Sequence, residues 1–259
     1  MAGATYPLHA IVLRKTKLGE SDLILTLLAE DGRQIRAVAK GARKPNSSFS
    51  SRLEIFAEVD VLMVSGRSLD IVKEVRLLDA HQGIVFDAAH AAACAPMVDL
   101  ASRLIQPDLL SPKMFALTSS ALDHAADANA EEALSLCAAF MLKAFSFAGF
   151  RPSFDRCVGC GSSVSLSRAE SSRDTISFSA AEGGVVCSSC LLFSDARQVP
   201  IEVLSWAHYL LMSTFDDVVA ANPPCRVIFE VLHLCQSWVR EHVGSRLKSL
   251  DFLFVSGLF

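Results

Sequence analysis

Residues 53–63 read LEIFAEVDVLM, and their alternation is the clearest fold signal in the chain. Leu53, Ile55, Ala57, Val59, Val61 and Met63 fall on one face, with Glu54, Glu58 and Asp60 on the other. Successive side chains of a strand point to opposite faces, so an apolar period of two describes a half-buried strand. The same texture recurs outward from this stretch, at residues 8–14, 21–29, 33–40 and 69–78. Turns are predicted between these runs at residues 17–20, 30–32 and 65–67.

Five short strands in the first 80 residues, with one longer connection, suit a small closed barrel of the OB type. A five-stranded SH3-like barrel or a half-sandwich gives much the same pattern. From His81 onward the texture becomes helical, with Ala- and Leu-rich runs at 87–105, 111–128 and 131–150. Ser111 followed by Pro112 suits a helix start, since Ser caps and Pro tolerates the first turn. Two further helices are predicted at 200–219 and 223–244. The expected class is therefore α+β, with an OB-type barrel at 1–80, a helical domain at 81–259 and a cysteine-bearing insert at 151–194. The polar stretch at 162–174, SSVSLSRAESSRD, reads as a flexible linker within that insert.

Composition limits the function classes. With 51% hydrophobic and 20% charged residues the chain is globular rather than disordered. A net charge of −4 argues against polyanion binding over the whole surface, so any nucleic-acid contact has to be local. Residues 203–215 are uncharged for only 13 positions, short of the ~20 that a membrane span needs. The N-terminal MAGATYPLHAIVLRKTK lacks the basic n-region of a signal peptide, and the expected compartment is the cytoplasm.

Four of the eight cysteines form two pairs, CVGC at 157–160 and CSSC at 187–190. Two residues between paired thiolates let one tight turn present both sulfurs to a single ion. Cys157, Cys160, Cys187 and Cys190 are therefore expected to hold one structural Zn2+, a closed site with no open position for catalysis. Cys94, Cys137, Cys225 and Cys235 lie in apolar surroundings and read as buried core thiols. A zinc deaminase is disfavoured, because no H-x-E precedes a P-C-x-x-C.

Charge is concentrated in residues 32–53, GRQIRAVAKGARKPNSSFSSRL, which carry six basic side chains and no acid. In the strand at 33–40, Arg36 and Lys40 face away from Ile35, Ala37 and Ala39. The loop after it adds Arg43, Lys44 and Arg52. An outward strand face feeding a basic loop is where a single nucleic-acid strand can run on a barrel, and Phe49 could stack on a base.

The stretch AIVLRKTKLGESDLILTLLAEDGRQIRAVAKGARK, with RLEIFAEVDVLM behind it, resembles the opening of the bacterial recombination mediator RecO family. The likeness continues in FRPSFDRCVGCG, FSAAEGGVVCSSC and REHVGSRLKSLDFL, in the same order. The resemblance implies an N-terminal OB fold, a helical C-terminal domain and often a zinc motif. It implies binding of single- and double-stranded DNA and annealing of complementary strands. It also implies association with RecR, engagement of the acidic tail of single-stranded DNA-binding protein, and help in loading RecA at gaps. The family's basic residues carry over onto Lys40, Arg43 and Lys44, with Arg36 and Arg52 added from position. For the acidic tail, Arg240, Arg246 and Lys248 beside Trp238 form the densest basic group of the helical domain, with Lys113 and Lys143 as scattered alternatives.

No phosphate loop, H-E-x-x-H or G-x-S-x-G occurs, and no enzymatic activity is expected. The seven histidines (9, 81, 90, 124, 208, 233 and 242) are dispersed and read as surface or capping residues. The alternative function is a zinc-ribbon protein–protein adaptor whose barrel binds no DNA.

Overall fold

A computed structural model describes residues 3–49, 51–166, 174–191 and 195–259. Most of the predicted polar linker falls on residues 167–173, outside the described residues. The chain forms two compact units, Met1–Asp87 with Met97–Ala126, and Ala88–Pro96 with Asp127–Phe259.

The first unit is built on a closed five-stranded barrel of β1 (Thr5–Leu18), β2 (Asp22–Ala29), β3 (Gln34–Ala39), β4 (Glu58–Val64) and β5 (Asp70–Asp79). Its order is β1-β2-β3-β5-β4, with the long β1 paired to both β2 and β4. A short parallel pairing of β3 with β5, Ala37 opposite Asp70 and Val38 opposite Ile71, closes it. This is the OB arrangement. Ala10, Val12, Leu25, Leu27, Val59, Val61 and Met63 fill the interior. Closure removes the unpaired edges that an open sheet of this size would leave exposed.

The run at 53–63 is a strand only from Glu58. Phe56 takes a left-handed φ of 77°, which breaks the extended conformation. Its N–H donates to Val12 O (3.0 Å), while Val12 N–H donates to Ala57 O (2.9 Å). Leu53 and Ala57 still bury their side chains in the barrel, but from a turn, and Ile55 is not among the core residues.

After α1 (Gln82–Val85), α2 (Ala88–Leu104) and α3 (Pro112–Asp127) follow. His81 is only 1% exposed, so of its two expected roles it is not a surface residue; it stands at the N-cap of α1, with its side chain bonded elsewhere. Its Nδ1 lies 2.9 Å from Phe56 O and its Nε2 lies 3.1 Å from Asp123 Oδ1, so it ties the end of the barrel to α3. Gly32, at φ 86°, is required: a Cβ there would sit 2.1 Å from the Ser111 backbone.

The second unit packs α4 (Ala130–Phe147), α5 (Ile201–Met212), α6 (Phe215–Ala221), α7 (Cys225–Val243) and α8 (Lys248–Val255). Asn129 and Glu132 make a capping box that starts α4. The predicted helix at 200–219 is two helices. Thr214 and Asp217 form a second capping box, which satisfies the N-terminal donors of α6 and so stabilises the break. Three short strands, β6 (Thr175–Ser179), β7 (Gly184–Val186) and β8 (Arg197–Pro200), form a sheet in the order β7-β6-β8. Phe140, Phe145, Phe154, Phe178 and Trp238 are the large fully buried side chains of this unit.

Among the other histidines, His233 is exposed as expected and stacks on Phe254 at 3.8 Å, whereas His242 is half-buried and stacks on Phe150 at 5.5 Å. His90 is only 5% exposed, so its expected surface place is corrected. Cys94, Cys137 and Cys235 are core thiols, whereas Cys225, the first residue of α7, is only half-buried. Burial raises the Cys94 thiol to about 12 and lifts those of Cys137 and Cys235 well above their ordinary value, leaving all three unreactive.

Candidate functional site

The four paired cysteines come together as the spacing predicted. Cys157, Cys160, Cys187 and Cys190 place their sulfurs within 4.8 Å of one another, and none is in a disulfide. A metal–thiolate tetrahedron with bonds of about 2.3 Å puts sulfurs about 3.8 Å apart. The Cys160 and Cys187 sulfurs lie 3.6 Å apart, which fits.

Local backbone makes this possible. Each knuckle is a tight turn, closed by Gly161 N–H to Cys157 O (2.8 Å) and Cys190 N–H to Cys187 O (3.0 Å). Gly161 has φ 75°, and a Cβ on Gly159 would meet the Cys190 sulfur at 3.1 Å. The Val158 N–H donates to Val185 O at 3.0 Å, pinning the first knuckle to β7 of the second.

The thiol electrostatics point the same way. The Cys187 N–H aims at the Cys157 sulfur from 3.2 Å. With the amides of Cys160 and Gly159 it pulls that thiol down to about 6. Cys190 is pushed up to about 12, chiefly by Cys187 and then Cys160. Four thiolates at this spacing repel one another unless a cation sits among them. The residues fit a single metal ion with all four positions taken by protein, a scaffold rather than a reaction centre.

The basic window lies on the barrel. In β3, Ala37 and Ala39 are buried while Arg36 is exposed. Lys40, Arg43 and Lys44 are exposed in the turn that follows. That turn is held by the residues that open β2. Asp22 Oδ1 accepts the Gly41 N–H at 2.8 Å, and Ser21 O accepts the Arg43 N–H at 2.8 Å. The Gly41 amide first, then Ser21 and the nearby Lys40 and Lys44, hold the Asp22 carboxyl below its ordinary range. Arg43 reaches back to Gly19 O at 3.0 Å. The exposed Arg52 instead donates to Val75 O at 3.2 Å, which draws its guanidinium toward β5.

Phe49 is not an open stacking platform: it is half-buried against the barrel core, so the loop is basic without a free ring. The expected rim around Trp238 also differs. Trp238 is 1% exposed, in contact with Phe145, Phe178 and His242, and donates its Nε1 proton to Phe150 O at 3.1 Å. Arg246 pairs with Asp251 at 2.8 Å. Lys143 is spent on the carbonyls of Leu211 (2.9 Å) and Ser213 (2.6 Å) at the end of α5.

A residue missed in the sequence joins the barrel surface. Arg14 stands on the outer face of β1, opposite Thr26 of β2, which itself lies opposite Arg36 of β3.

Fold and site together define an OB-barrel protein with a locally basic surface, a helical domain and a four-cysteine scaffold centre. Comparison with known families agrees across the chain. The family model for the N-terminal part of recombination protein O matches residues 1–81, and that for its C-terminal part matches residues 85–251. The chain is 31% identical over 258 residues to a DNA repair protein RecO of Bifidobacterium animalis subsp. lactis (strain AD011), covering 96% of this chain and 99% of that protein. It is 32% identical over 247 residues to a DNA repair protein RecO of Nocardioides sp. (strain ATCC BAA-499 / JS614), covering 95% and 97%. The chain belongs to the RecO family of DNA repair proteins.

Proposed function

We propose that this protein is a non-enzymatic recombination mediator. It binds single- and double-stranded DNA, anneals complementary strands and helps load the recombinase RecA onto gaps covered by single-stranded DNA-binding protein. Residues 1–80 are the nucleic-acid-binding domain, and residues 81–259 are the helical domain with its insert at 151–194. The observation that carries this is the exposed basic group Arg36, Lys40, Arg43 and Lys44 on an OB barrel of an acidic chain, with Arg52 as a further contact. Annealing needs no catalytic group. It needs cations that screen phosphate repulsion on two strands at once, and phosphate contacts hold either strand without reading sequence.

The ion at the four-cysteine centre is Zn2+. All-thiolate tetrahedral donors favour it, and a closed site gives it a folding role. RecR and the acidic tail of single-stranded DNA-binding protein are the protein partners, in the bacterial cytoplasm at the nucleoid. No helix among the described residues is long and apolar enough to cross a membrane.

The test is annealing of complementary oligonucleotides, bare and coated with single-stranded DNA-binding protein, by wild type and by an Arg43→Glu, Lys44→Glu double variant. Wild type is expected to anneal both, and the variant to fail while keeping its metal and its melting temperature. A wild-type protein that binds no DNA would leave the adaptor role in its place.

A further inference from the structure

The sheet face that carries Arg36 holds a cleft of about 420 Å³, lined by Arg14, Thr16, Ile24, Thr26 and Arg36 together with Gln34 and Ser102. Arg14 reaches it because of a break in the pairing of β1 with β2. Val12 lies opposite Leu27, and the next pair is Arg14 with Thr26, so Leu13 is an extra residue. Such a bulge reverses the inward–outward parity of every residue after it. Ala10 and Val12 point into the barrel, and uninterrupted alternation would send Arg14 in after them. Instead Lys15 pairs with the interior Leu25, and Arg14 turns out.

Arg14, Thr26 and Arg36 therefore form one row across three adjacent strands. Two strand spacings separate the arginines, about 10 Å between Cα atoms. Among the described residues neither guanidinium has an acidic partner or a hydrogen-bond acceptor, whereas Arg33 and Arg103 are paired with Asp31 and Asp99. Among the described residues no carboxylate lines the cleft. The Gln34 amide nitrogen is already used on the carbonyls of Ser102 (2.9 Å) and Ile105 (3.4 Å). The two guanidiniums are thus the cleft's free charged donors. No aromatic ring among the described residues lines it either, so these residues offer bases nothing to stack on.

We propose that Arg14 and Arg36 form a two-arginine clamp for the phosphodiester backbone of a nucleic acid, aimed outward by the bulge at Leu13. This rests on the DNA-binding reading above and deepens it. The clamp holds phosphates and leaves the bases turned away, which is the orientation a strand needs in order to pair while still bound.

The experiment is fluorescence anisotropy of the full chain with a 20-nucleotide single strand, its duplex, and an abasic strand of equal length. Variants are Arg14→Ala, Arg36→Ala, their combination and Thr26→Glu. Each alanine variant should bind about tenfold more weakly at low salt, the order expected for losing a charged hydrogen bond. Each should also reduce the log–log salt slope on single strands by about 0.7, the share of one phosphate contact. Thr26→Glu places a carboxylate between the guanidiniums and should weaken binding at least as much, with an unchanged melting temperature because the site is on the surface. The abasic strand should bind like the intact one. Wild-type affinity in the Arg14→Ala, Arg36→Ala variant, alongside a large loss in Arg43→Glu, Lys44→Glu, would overturn the clamp and leave DNA binding to the loop. Loss of affinity for the abasic strand alone would show that bases are read. Absence of DNA binding by wild type would overturn the clamp and the proposed function together.

Discussion

Replacing Cys187 with Ser takes one thiolate from the four-cysteine centre. The structure indicates what remains to hold the knuckles: two tight-turn hydrogen bonds, the Cys157 N–H to Ser162 O bond at 2.8 Å, the Val158 to Val185 bond, and the Ser153 bonds to Gly183 O and from Val185 N–H at 2.9 Å each. No knuckle residue apart from Cys157 is buried, so little hydrophobic energy opposes their opening. The neighbouring Phe154 and Phe178, each 1% exposed and stacked at 6.0 Å, belong to the core and should stay folded. A thousandfold loss of metal affinity, at metal concentrations that previously saturated the site, costs about 4 kcal/mol of stability. In a domain of this size that lowers the melting temperature by about 8–16 °C. The assays are metal content by mass spectrometry, thermal unfolding, and amide exchange. Exchange should quicken at Val158, Gly161 and Cys190 and stay slow in α4 and α7. DNA affinity should be unchanged, because the barrel shares no ligand with the centre. One zinc per chain retained by the variant, or protein purified without chelator carrying none, would refute the reasoning.

Removing His81 with Ala should cost about 1–3 kcal/mol in urea unfolding, since it leaves Phe56 O without its buried partner. An unchanged midpoint would mean that water replaces the imidazole freely. The Asp22 carboxyl has a lowered pKa in the fold, so its stabilising contribution is present above the ordinary value near 3.9 and is lost as pH falls through the folded value. The Gly41 amide should accordingly lose protection as pH drops through that acidic range. In Asp22→Ala the same amide should already be unprotected at neutral pH, and NMR exchange measurements at matched pH read both.

Alternation of apolar residues was enough to place the five barrel strands, because burial of one sheet face imposes a period of two on the local sequence. CxxC spacing was enough to group Cys157, Cys160, Cys187 and Cys190, since a thiolate pair two residues apart defines its own turn. The family likeness was legible in the strand–turn chemistry of GESD and AKGARK, which the structure joins through Asp22 and Gly41. What lay beyond reach depended on partners distant in sequence. Phe49 looks like a loop aromatic until the barrel core is in place to receive it. Trp238 reads as one wall of a basic pocket until Phe145 and Phe178 enclose it. His81 gains its role from Phe56 and Asp123, 25 and 42 positions away. The direction of Arg14 is set by a bulge, and a bulge is a mismatch between two strands. One strand's sequence carries its own alternation but not its register against a neighbour, so only the paired sheet could decide which way that arginine points.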